Sequence, residues 1–277
     1  MFFEIRAAIA IIASLIGAYT DFKTGLIYDK ITYPLIVLGI LFNAWEIFSI
    51  GITINNFILF FAPALIVFAI GYLFYFTGKL GGGDVKIFSG LALILPTING
   101  EIFIVNVLLF SVLIGTTCIS LYYLIQYARK GIDLKENSKS IQKALLFAIL
   151  LIGYFFFLSQ FGLKTLTLVV LIVPLFLALI FLALEKGIRK SFFLKWISLN
   201  EIEEDEIIAE ELLEEEQRKK LNLGFKGLIQ PQDAEKLKQL GIERLPVYRN
   251  LPKFGPFIFI GVLLAILIPN AFTILFL

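Results

Sequence analysis

The sequence has no histidine, one cysteine and one methionine among its 277 residues. Without histidine there can be no Ser–His or Cys–His catalytic pair, no imidazole metal ligand and no histidine-held haem. The single cysteine, Cys118, forms neither an intrachain disulfide nor a Cys-x-x-Cys zinc pair, and its apolar surroundings mark it as a lipid-facing or core residue. Charge is scarce too. Twenty-four Lys and Arg against 22 Asp and Glu leave a net charge of +2, too little basic excess to suggest a nucleic-acid partner. What fills the chain is apolar: 59% of residues are hydrophobic and the mean hydropathy is +0.90. That exceeds what a soluble domain carries, so the expected class is an all-α polytopic membrane protein.

Apolar runs fall at 2–20, 33–50, 57–77, 85–96, 101–127, 144–160, 165–184 and 255–277. Most have the roughly 17–25 residues that a bilayer crossing needs. The fourth is short, since twelve residues of helix cover about 18 Å against a hydrocarbon core of about 30 Å. The expectation is six to eight transmembrane helices. The first run lacks a basic n-region and a small-x-small cleavage site, so it reads as a mature span rather than a signal peptide. If all eight runs cross, one side holds the loops 21–32, 78–86, 128–143 and 186–253. That side carries 22 of the 24 basic residues, all but Arg6 and Lys164. The positive-inside rule makes it cytoplasmic, puts both termini outside, and favours a short but complete fourth span.

Only 186–253 is long and polar. It contains ten acids between Glu201 and Glu216, followed by Arg218, Lys219 and Lys220. Acids first and bases last suit a helix of about 20 residues. A turn-rich unit should follow, with a second short helix from Gln232 to Leu240 ended by Gly241. The expected organisation is a membrane helical domain at 1–185, a small cytoplasmic insertion at 186–253, and a last transmembrane helix at 254–277. Glu46 beside Trp45 reads as an interface anchor at the outer end of the second span.

Two acids stand out. Asp84 follows Gly81, Gly82 and Gly83 at the mouth of the fourth run, and Asp21 ends the first. The topology brings both to one membrane face at similar depth. Each has a structural reading: Asp84 as a helix cap or a partner of Lys86, and Asp21 as a partner of Lys23. The functional reading needs the two together. Carboxylates a few ångströms apart do not both ionise cheaply, so one keeps a proton while the other takes one from water. That is the equipment of general acid–base hydrolysis. The glycines, lacking Cβ, permit unusual backbone angles and close approach of another chain. A Ser89–Lys86 pair is the other hydrolytic option.

The run Gly81 to Lys86 resembles the G-x-G-D signature of intramembrane aspartyl proteases. The stretch from Asp21 to Gly39 places Asp29, Thr32, Pro34 and Gly39 as in the type IV prepilin and preflagellin (archaellin) peptidases, and Pro252 to Pro256 is similar to the entry of that family's last span. The resemblance implies a membrane aspartic endopeptidase with Asp21 and Asp84 catalytic, and Gly81, Gly82, Gly83, Lys86 and Asp29 supporting. It implies substrates with short basic leader peptides, cut at the cytoplasmic side of the membrane just before a hydrophobic segment. It implies no cofactor and no metal. Many bacterial members carry a cysteine-rich zinc segment and methylate the new amino terminus; one cysteine gives no such site here, and methylation is not expected. The acids between Glu201 and Glu216 form either a solvated face or an attractor for a basic leader. Two other classes stay open on sequence: an ion or solute transporter using membrane carboxylates, and a non-catalytic pilus assembly protein on the same fold.

Overall fold

A computed structural model describes residues 2–160, 165–203, 206–213, 228–229, 231–239, 241–242 and 244–276. The apolar runs form helices: α1 (Phe3–Thr24), α2 (Asp29–Ile50), α3 (Ile54–Phe76), α4 (Gly82–Ile94), α5 (Phe103–Lys130), α6 (Ser138–Ser159) and α7 (Thr165–Ala183). A short α8 (Glu185–Phe192) follows at a 72° bend. Among the described residues, five helices are long and apolar enough to cross a membrane, and a sixth if α7 and α8 count as one bent span.

Two runs depart from simple spans. The fourth gives only thirteen helical residues, then a tight hairpin of β1 (Thr97–Ile98) and β2 (Glu101–Ile102). Asn99 and Gly100 turn it with positive φ at both positions, the backbone that two-residue hairpins demand. The last run, expected as one helix, breaks at Ile268–Asn270. With a short α9 (Ala234–Gln239) preceding it in the polar segment, it becomes α10 (Gly255–Leu267) and α11 (Ala271–Phe276). The break is held by Asn106, which donates to the Pro269 carbonyl (2.6 Å) and accepts from the Phe272 amide (2.9 Å). A proline with a side chain ready to satisfy the freed backbone ends the helix there.

Short α4 is the centre of the bundle. It packs on α1, α2, α3 and α5, while α10 lies between α1 and α5. Almost every residue from Val85 to Ile94 is buried. Close approach to α2 is bought with two glycines: a Cβ on Gly39 would come within 2.6 Å of Leu93, and one on Gly90 within 2.8 Å of Leu35. Small residues let helix backbones approach in a bilayer, where apolar burial alone gives no association force. At the end remote from Asp84, Asn43 of α2 donates to the Leu93 carbonyl (2.9 Å) and the Phe60 carbonyl (3.2 Å). It accepts from Arg6 (2.8 Å), which also pairs with Glu46 (2.7 Å). One of α4's orphan terminal carbonyls is thus satisfied by a side chain. In the same network Glu46 pairs with Arg6 of α1, almost fully buried, while its neighbour Trp45 is exposed.

The polar segment carries a small antiparallel sheet in the order β3 (Leu194–Ser198), β6 (Arg244–Tyr248), β4 (Glu206–Ile208), β5 (Leu228–Ile229). Its core is Ile197, Ile208, Ile229, Leu237, Leu245 and Val247. The expected long acidic helix is absent from its described part, where 3-10 turns at Leu199–Glu201 and Glu210–Leu212 flank β4; the remainder lies outside the described residues. β4 pairs with β6, and Glu206 is held by Arg249 at 2.6 Å. The short helix before Gly241 is present as α9 (Ala234–Gln239), with Gly241 at φ 73°. Tyr248, Ala209 and Phe193 seat the sheet against Tyr127 of α5 and Ile188 of α8.

Candidate functional site

Asp21 sits in the last turn of α1, which Gly25 closes in the left-handed conformation. Its side chain is buried, 6% exposed. Its Oδ2 accepts from the Gly255 N–H at 2.7 Å, at the first residue of α10. Lys253 adds positive charge nearby and donates to the carbonyl of Phe22. A helix N-terminus directs free N–H groups and a positive dipole end at a carboxylate. The fit leaves no spare room, because a Cβ on Gly255 would lie 2.8 Å from the Asp21 Cβ and 3.0 Å from its Oδ2.

Asp84 is the third residue of α4 and is partly exposed. Its carboxylate takes the N–H of Gly81, the residue that caps the helix. An acid three residues past the cap, reaching back to the cap's amide, is one half of a capping box. Asp84 therefore does help begin its helix. It is also close enough to Asp21 for their like charges to repel. Two acids 63 residues apart in the chain thus meet at one end of the bundle.

The glycines act differently from the expectation of unusual backbone angles. None of Gly81, Gly82 and Gly83 has positive φ, and the last two are helical. Space is what they supply. A Cβ on Gly83 would come within 2.9 Å of both the Cβ and the carbonyl oxygen of Ile27, in the loop after α1. A side chain there would push α4, and Asp84 with it, away from Asp21.

Lys86 does not pair with Asp84. It reaches Asp29, the first residue of α2, at 2.5 Å, and its ammonium lies 5.0 Å from the ring centre of Tyr33. Asp29 is half-exposed and stands in this ion pair. Likewise Lys23 lies over the Tyr19 ring, and the cation near Asp21 is Lys253. Ser89 is buried and donates to the Val85 carbonyl at 2.8 Å, so its hydroxyl is engaged within α4 while Lys86 is engaged with Asp29. The Ser–Lys option loses its geometry. What sequence reasoning missed is the role of Phe254 and Gly255 as donors to Asp21, across 234 residues. The Pro252–Pro256 stretch was visible as a helix entry, but nothing local says which acid its amides face.

Residues 8–125, which include both acids, match the type IV leader peptidase family. A prepilin peptidase, EppA, from Methanothermobacter thermautotrophicus is 34% identical over 89 residues. That alignment covers 32% of this chain and 23% of the relative, so the matched part is less than a quarter of that protein's length. No solved structure matches. Over residues 8–125, the part that holds both acids, this chain is similar to the type IV leader peptidase family.

Proposed function

We propose that this protein is a membrane aspartic endopeptidase that removes the leader peptide from type IV prepilin-like or preflagellin precursors. The observation that carries the reading is the meeting of Asp21 and Asp84 at one end of the bundle. Of the two acids, Asp21 has the partners that favour a negative charge, the Gly255 N–H and Lys253. Asp84 then holds the shared proton.

Hydrolysis follows from that division of labour. Asp21 takes a proton from a water between the acids while Asp84 donates to the scissile carbonyl oxygen. The hydroxide adds to the carbonyl carbon and gives a neutral gem-diol. Asp21 passes its proton to the amide nitrogen, Asp84 recovers one from a diol hydroxyl, and the C–N bond breaks to release acid and amine. No covalent intermediate is needed.

Gly81, Gly82 and Gly83 support by admitting close packing around Asp84. Lys86 and Asp29 support by tying the first turn of α4 to that of α2. The site faces the cytoplasm in this reading, because 22 of 24 basic residues fall on its side of the topology. Purified protein incubated with a leader-bearing precursor should yield one new amino terminus. Neither Asp21→Asn nor Asp84→Asn should yield it, with a loss of at least about a hundredfold for removal of one proton-transfer group.

A further inference from the structure

A groove of about 670 Å3 runs along one flank of the bundle. Both α3 and α5 pack on short α4, and the groove is the gap they leave above it. One wall is α3, where Ile58, Ala62, Ile66 and Ile70 recur every four residues. The other is α5, where Ile104, Leu108 and Val112 repeat the same spacing. Val85 and Phe88 of α4 make the floor. One end of the groove lies beside the candidate site: Leu80 precedes Gly81, Val85 follows Asp84, and Phe254 adjoins Gly255. The other end lies near Ile58 and Ile102.

We infer that this groove seats the apolar helix that follows the scissile bond of the substrate, an inference that rests on the peptidase reading above. Three observations favour a helix over a lipid acyl chain. Two walls ridged at four-residue spacing complement the surface of a third helix, whose own ridges follow the same rows. The groove runs along α3 from Ile58 to Phe74, which at the helical rise is about 24 Å, most of a membrane crossing. It also begins beside the acids, with Leu80, Val85 and Phe254 in its lining, so a chain cut there has the groove next to it. In lipid the helix gains little from apolar burial alone, and its seating comes from packing. Packing fixes register, and register fixes which peptide bond lies at the acids. The groove therefore selects the cleavage site by its distance from the start of the apolar helix.

Two measurements test this. In a Cys118→Ser background, the only native thiol is gone. Ile66→Cys then places a thiol in the groove, and Leu65→Cys one on the exposed face of α3 outside it. With Asp84→Asn to hold the precursor uncut, single cysteines along the substrate's apolar helix should form disulfides with position 66 at sites three or four residues apart, and not with position 65. Separately, Ala62→Phe should fill the groove. It should raise the KM for the full precursor by about tenfold or more, while a short water-soluble peptide spanning only the cut is cleaved as by the parent. Equal processing of both substrates by Ala62→Phe, or cross-linking equal at 65 and 66, would overturn the groove assignment and leave it to lipid. If Ala62→Phe is inactive on both substrates, the cross-linking pattern alone decides. If the unsubstituted protein cleaves neither substrate, it is the peptidase reading that fails.

Discussion

At the residue scale, the site depends on two contacts that no short-range pattern specifies. Gly255 gives Asp21 its amide at 2.7 Å and has no space for a side chain. Gly255→Ala should therefore displace Asp21 or the start of α10 by a fraction of an ångström to an ångström. The expected cost is about tenfold to a hundredfold in kcat with the protein still folded, read from precursor turnover beside a thermal melt. A kcat within twofold of the parent would show that this approach is incidental. The Lys86–Asp29 pair makes the opposite prediction. Both side chains are substantially exposed, so Asp29→Asn or Lys86→Met should change stability by less than about 1 kcal/mol. Either should lower turnover only a few-fold, because the pair orients α4 and transfers no proton. Abolition of turnover by Asp29→Asn, equal to that by Asp84→Asn, would move Asp29 into the reaction.

At the scale of elements, α4 is short, central and fastened at both ends. Its first turn is tied through Lys86, and its last through Asn43. Asn43→Leu removes a donor from the Leu93 and Phe60 carbonyls and an acceptor from the buried Arg6. Leaving such groups unpaired should destabilise the fold by on the order of 2–3 kcal/mol, seen in unfolding of detergent-solubilised protein. An unchanged unfolding midpoint would mean that the network contributes nothing. The elements also show where local sequence was enough. The apolar runs and the acids at their ends were readable because bilayer thickness imposes length and polarity directly on the chain. The Asn99–Gly100 hairpin and the break at Pro269 were not anticipated, although each has a local cause, a turn pair in one case and a proline in the other. The strand Glu206–Ile208 was hidden for a different reason. Its neighbours are dense in acids that suggest a helix, and its pairing partner, β6, lies some forty residues on. Tertiary pairing overrode the local preference. The glycines before Asp84 were legible as a special place but not as to kind, since close contact with Ile27 depends on where α1 ends.

At the scale of the whole molecule, all the contacts that build the site lie at one end of the bundle, and the sheet hangs from the same end through α8 and the tail of α5. The account makes that end cytoplasmic. In a Cys118→Ser background, Ile52→Cys in the loop between α2 and α3 should react with a membrane-impermeant maleimide in intact cells. Lys79→Cys, in the loop before α4, should react only after permeabilisation. The reverse pattern would invert the topology and put the acids on the wrong face for a cytoplasmic leader. The central claim is chemical, and one measurement reaches it most directly. Purified protein and its Asp84→Asn variant are each incubated with a panel of leader-bearing precursors, and the products are read by mass spectrometry. The account predicts a single new amino terminus from at least one precursor with the parent protein and none with the variant. Cleavage of that precursor at the same bond and rate by Asp84→Asn would contradict it.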